Sequence, residues 1–168
     1  EADVAFAKFV RKNYMSWMGN PDRRPMMSND LFRKRVFPLL DKGEKVFMIV
    51  FDNLRYDQWR MLYREIAGIF SSDEELYFSI LPTATQYARN AIFAGLMPLQ
   101  IEEIFPGLWV DESENEGKNL KENELIATQL ARFRRKNSFS YSKVNDSQAA
   151  DRLLAQFSQL ERNDLNVL

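Results

Sequence analysis

Val46-Phe47-Met48-Ile49-Val50-Phe51-Asp52-Asn53-Leu54-Arg55-Tyr56-Asp57 is the stretch on which the fold turns. Its six consecutive apolar residues, partly β-branched, predict a strand buried on both faces of a parallel sheet. Polar Asp52 and Asn53 mark the carboxyl end of that strand. Beyond it, Trp59, Leu62, Ile66 and Phe70 fall at helical spacing and predict a helix over 56–70 that buries them. The alternation continues. Tyr77 to Leu81 reads as a second strand, 86–96 as a helix ended by Gly95 and Pro98, and 121–135 as a helix with Ile126, Leu130 and Phe133 on one face. Phe139 to Tyr141 reads as a short strand. Asn145-Asp146-Ser147 caps a helix expected to bury Ala150, Leu153, Leu154, Phe157 and Leu160. Leu165-Asn166-Val167-Leu168 then opens another strand, which predicts that the sheet continues past it. Strands alternating with helices indicate an α/β domain with a mainly parallel sheet flanked by helices, its crossovers placing helices on both faces.

Upstream of this unit the pattern is helical. Val4, Phe6, Phe9, Val10, Tyr14, Trp17 and Met18 predict a helix over 1–18, ended by Gly19-Asn20-Pro21. Residues 19–28 read as a linker. Ser28-Asn29-Asp30 is placed to cap a second helix, reaching Leu40 with an interruption near Pro38, and Asp41-Lys42-Gly43 closes it. The expected division is thus a helical connector over 1–43 and an α/β unit over 44–168. Residues 111–119 form an acidic excursion poor in structure-forming residues.

Composition narrows the chemistry. The chain has 168 residues, 45% of them hydrophobic and 28% charged, enough for one domain with a core. Its formal net charge of −1 gives no global basic field for a polyphosphate backbone. There is no cysteine and therefore no disulfide, thiol nucleophile or thiolate-held metal. There is also no histidine, which excludes Ser-His-Asp triads, HExxH metalloproteases and every imidazole base. The longest apolar run is six residues, against about 20 for a membrane-spanning helix. The expectation is a cytoplasmic protein without a membrane segment.

Ligand sites in open α/β sheets lie at the carboxyl ends of strands, and two such loops are chemically loaded. In the first, Asp52 directly after a strand can bind a cation, and Arg55 can reach a phosphate oxygen. The same residues also suit a plain aspartate turn, with Asp57 in the first turn of a helix. The second is Leu81-Pro82-Thr83-Ala84-Thr85-Gln86-Tyr87-Ala88-Arg89-Asn90. Thr85 at a helix start is either an N-cap or a hydroxyl that attacks phosphorus beside a metal, with helix-terminal N–H groups holding the phosphate. Arg55 and Arg89 are candidates for phosphate contact, or solvated arginines on helix faces.

The order of these motifs, Asp52-Asn-Leu-Arg55-Tyr-Asp57, then Leu-Pro-Thr83-Ala-Thr85, then Asn90…Gly95-Leu96-Met97-Pro98, resembles the alkaline phosphatase superfamily. Within it the chain is similar to PglZ domains, as in PorX-type response regulators of Bacteroidetes type IX secretion. The likeness runs from about residue 44 to the end, and the preceding helices resemble the connector between receiver and PglZ domains. The resemblance implies that Asp52 is a zinc ligand and that Thr85 is the metal-bound nucleophile. It sets Asn90 near a phosphate-contacting asparagine, at an offset from Thr85 that is not the usual one. It implies a phosphodiesterase or phosphatase with two zinc ions, acting on nucleotides or oligonucleotides. An upstream receiver domain and a sensor histidine kinase follow as partners, and a homodimer is compatible. One departure stands out: relatives complete the metal site with histidines and further aspartates, whereas Asp52 and Thr85 alone are too few ligands for zinc.

Other phosphoryl-transfer plans fit less well. A haloacid-dehalogenase-type site needs a second carboxylate where Leu54 stands, a receiver domain needs an acidic pair before Val46, and no GxxxxGK[ST] loop is present. The alternative from a different class is a non-enzymatic signalling module for dimerisation or partner docking, through the aromatic N-terminal helix and the acidic 111–119 segment.

Overall fold

Parallel pairing of three short strands organises the chain, which a computed structural model describes over residues 1–109 and 120–168. The strands are β1 (Val46–Met48), β2 (Phe139–Tyr141) and β3 (Leu165–Val167), in the order β1-β3-β2. Val46, Phe47 and Met48 lie opposite Leu165, Asn166 and Val167, and β2 faces the same three residues from the other side. The ladder runs on past β1: Leu168 N–H donates to the Met48 carbonyl and Val50 N–H to the Leu168 carbonyl, both at 2.9 Å. β3 is therefore the central, fully buried strand.

The helices are α1 (Ala2–Gly19), α2 (Phe37–Asp41), α3 (Tyr56–Ile66), α4 (Thr85–Ala94), α5 (Pro98–Ile104), α6 (Glu122–Arg132), α7 (Ser147–Ala155) and α8 (Phe157–Leu160). Leu165 and Val167 point to one face of the sheet, into a core with Phe32, Phe37, Phe93, Ile101, Leu125 and Ile126. On the opposite face Asn166 Nδ2 donates to the Leu160 carbonyl at 2.9 Å, and Phe47 stacks on Phe157 at 5.6 Å. Helices thus cover both faces, as the alternation implied. Asp146 caps α7 as expected, accepting from Ala149 N–H at 2.7 Å. None of the described helices is long and apolar enough to cross a membrane.

Several expectations are corrected. β1 is an edge strand, not one buried on both faces: Ile49 and Phe51 are 55% and 59% exposed. Among the described residues β3 is its one neighbour, and within it Phe47 and Met48 are only partly buried. Tyr77 to Leu81 is not a strand. Beside a bridge between Phe78 and Met27, the segment packs two ways: Phe78 against Phe6, Phe9 and Trp17 of α1, and Ile80 into a small core with Met27 and Ala91. The helix at 56–70 stops at Ile66 and buries none of its residues. Its aromatic residues instead meet one another and Glu74, which accepts from Trp59 Nε1 and Tyr56 OH, both at 3.2 Å. In the 150–160 region Leu160 is buried, while Leu154 and Phe157 stay exposed.

The second predicted helix is broken into a 3-10 turn (Ser28–Asp30), a π turn (Phe32–Val36) and α2. In a regular helix the Pro38 ring would strike the carbonyl four residues back. The wider turn, with Phe37 N–H bonded to the Phe32 carbonyl, relieves that clash. Phe32, Val36, Phe37 and Leu40 enter the same core as β1 and β3, so the folded unit includes residues assigned above to the connector. The 111–119 excursion lies outside the described residues.

Candidate functional site

The carboxyl ends of the three strands open into one cleft of about 510 Å³. Asp52 lines it after β1, Leu168 after β3, and Ser142, Lys143, Val144 and Asn145 after β2. Arg89 and Phe93 enter from α4, and Glu122 from the first position of α6.

Arg89 is the centre of this group. Its Nη1 lies 2.8 Å from Asp52 Oδ2, and its Nε 2.6 Å from Glu122 Oε1. The other oxygen of Glu122 accepts from Tyr141 OH and sits 3.9 Å from Lys143 Nζ. Glu122 is 2% exposed, a depth at which a carboxylate needs paired, hydrogen-bonded surroundings. Tyr141 OH bonds one oxygen, Arg89 pairs with the other by charge, and the first turn of α6 adds the positive end of a helix dipole. Burial, and then the bond to Glu122, push the Tyr141 phenol far above its usual pKa, so it remains a protonated donor. Asp52 is the exposed end of the network, its side chain 57% accessible.

Thr85 is the first residue of α4, one turn ahead of Arg89 and on the same helix face. The N-cap position belongs to Ala84, which has no capping side chain, so Thr85 does not act as the cap. The structure thus brings Asp52 against the helix that Thr85 heads. It does not bring in the other two candidates. Arg55 makes a two-pronged pair with Asp57, at 3.0 and 2.9 Å, on the exposed start of α3. That bond raises the Arg55 pKa and lowers that of Asp57. Asn90 is 2% exposed on the next stripe of α4 and does not line the cleft.

Glu122, Tyr141 and Lys143 escaped the sequence reading. The signal was available for the last two: Phe139 to Tyr141 was recognisable as a strand, and its carboxyl end is as natural a ligand site as that of β1. Among the described residues no group of three or more His, Cys, Asp or Glu is placed to hold a metal. Asp52 and Thr85 offer oxygen donors of suitable chemistry, but they fall short of the roughly three protein ligands of a catalytic zinc. The Asp52 carboxylate is also engaged by Arg89. These residues by themselves do not fit a zinc site.

A parallel α/β sheet with an acid–base cluster at its carboxyl ends defines an α/β domain with its ligand site in the usual place for that class. The family model of the BREX system PglZ alkaline phosphatase-like domain matches residues 31–167, and the chain belongs to that family. The matched region includes the π turn and α2, in keeping with their place in the core. Among curated proteins none matches.

Proposed function

We propose that this chain is part of a zinc-dependent phosphodiesterase or phosphatase, the effector domain of a cytoplasmic two-component response regulator acting on nucleotides or oligonucleotides. The observation that carries the reading is the meeting of Asp52, at the end of β1, with Arg89, one turn behind Thr85, in a chain of an alkaline phosphatase-like family. Thr85 Oγ attacks phosphorus as the bond to the leaving oxygen breaks. Its proton passes to water, and the leaving oxygen takes one from water. Water then cleaves the phosphothreonine and returns the hydroxyl. The uncapped start of α4 favours phosphate oxygens near Thr85, and Lys143 adds positive charge to the cleft. Zinc would supply Lewis-acid polarisation, with Asp52 and Thr85 as two of its ligands and the others contributed from elsewhere. In this reading α1 connects to a receiver domain that answers a sensor histidine kinase, and a homodimer is compatible.

The test is hydrolysis of bis-p-nitrophenyl phosphate by the full-length protein with zinc, beside its Thr85→Ala variant. Zinc-dependent release of p-nitrophenolate that drops to background in the variant supports the reading. Equal background rates overturn it and favour a module for dimerisation or docking. One observation speaks for that second reading: α1 buries none of its residues, and Val4 and Met15 are openly exposed.

A further inference from the structure

Arg89 is held by two carboxylates of opposite character. Its Nε side is anchored on Glu122, a buried carboxylate itself fixed by Tyr141 OH. Its Nη1 side meets Asp52, a largely exposed residue on the loop after an edge strand. One end of the guanidinium is therefore pinned, and the other has a partner that can swing into solvent. The pinned end costs much to move, because displacing Arg89 would leave the buried Glu122 to Lys143, whose ammonium stands 3.9 Å away. The outer end faces the cleft, and a guanidinium edge suits a phosphate oxygen as well as a carboxylate.

We infer that Arg89 is a phosphate-binding residue whose outer nitrogen exchanges between the Asp52 carboxylate and an oxygen of the substrate phosphate, so that Asp52 gates anion entry. The assignment rests on the cleft being the phosphoester site. It deepens that reading by making Asp52 and the substrate competitors for one cation. By the reciprocity of linked equilibria, anything that draws the Asp52 carboxylate away from Arg89 tightens phosphate binding, and phosphate loosens Asp52. Glu122 and Tyr141 are positioning residues: they aim Arg89 and do not touch the ligand.

Inorganic phosphate is titrated calorimetrically into the full-length protein and its Asp52→Asn variant with a chelator present. Asp52→Asn is expected to tighten binding by about 2- to 5-fold, the worth of one partly exposed ion pair. The gain should survive when Lys143→Gln is added. Both substituted side chains are partly or largely exposed, so neither change empties the core. No gain in Asp52→Asn, including binding too weak to detect in either protein, overturns the inference. A gain abolished by Lys143→Gln also overturns it, because the anion then sits on the lysine. The hydrolase reading fails separately: a phosphate gain without zinc-dependent hydrolysis supports the Arg89 assignment and refutes the enzyme.

Discussion

Replacing Gly95 by alanine should strike the helix that carries Thr85 and Arg89. Gly95 follows the last residue of α4 with φ +60°, a left-handed conformation that costs a residue with a Cβ about 1–2 kcal/mol. A second cost comes from α6. A Cβ built at Gly95 would lie 2.1 Å from Gln129 Nε2 and 2.8 Å from Gln129 Cδ. Gln129 is fully buried and cannot swing into solvent, so the overpacking adds roughly 1–3 kcal/mol. The sum is about 2–5 kcal/mol, or a fall in Tm of roughly 4–20 °C for a chain of this size. The assay is thermal and urea denaturation of wild type, Gly95→Ala, Gln129→Ala and the double variant. With Gln129 shortened, only the backbone term should remain, giving a coupling of about 1–3 kcal/mol. If Gly95→Ala costs the same in both backgrounds within about 0.5 kcal/mol, the close approach of α4 and α6 is refuted.

Two further outcomes follow from carboxylates that accept local hydrogen bonds. Asp146→Ala should cost about 1 kcal/mol by freeing the Ala149 N–H at the start of α7, while Asp146→Ser should retain most of that, both read from urea midpoints. Asp164 accepts from Ser138 N–H at 2.8 Å and Ser138 Oγ–H at 3.1 Å, which lowers its pKa below the usual carboxylate value. A depressed folded-state pKa stabilises above the unfolded value and loses that contribution as pH falls through the folded one. Asp164→Asn should therefore lower the urea midpoint at neutral pH and make its decline toward acid shallower; an unchanged acid limb would contradict the linkage.

The legible parts of the fold are those where local pattern and tertiary use coincide. Phe139 to Tyr141 and Leu165 to Val167 are strands, and Gly95 ends α4 in the left-handed conformation. Where the reading failed, the pattern was present but its partner was not local. The spacing of Trp59, Leu62 and Ile66 specifies an apolar face, yet nothing in that spacing states whether another element covers it. The apolar residues of 77–81 are consistent with a strand, but α1 offers Phe78 an aromatic surface instead of a neighbouring strand. In the site, Asp52 and Arg89 were each legible from position alone. Glu122 was not, because a buried carboxylate has no local signature; its partners come from α4 and β2, remote in sequence.

Arg55 and Arg89 show how burial distinguishes two side chains that a sequence treats alike. Both lie near a strand end or helix start, and both bind a carboxylate. The Arg55–Asp57 pair is exposed on both sides and joins the N-cap of α3 to its first turn, so water and salt compete for each partner. A phosphate there would compete with Asp57 and with water for a solvated guanidinium, and the gain would be small. Arg89 is 14% exposed and stands on α4, with Glu122 beneath it already neutral in combination and already desolvated. Its orientation is set before any anion arrives. Preorganisation of that kind is what a binding group needs and a surface charge lacks, and it comes from α6 and β2, through Glu122 and Tyr141, not from the motif in which Arg89 is written.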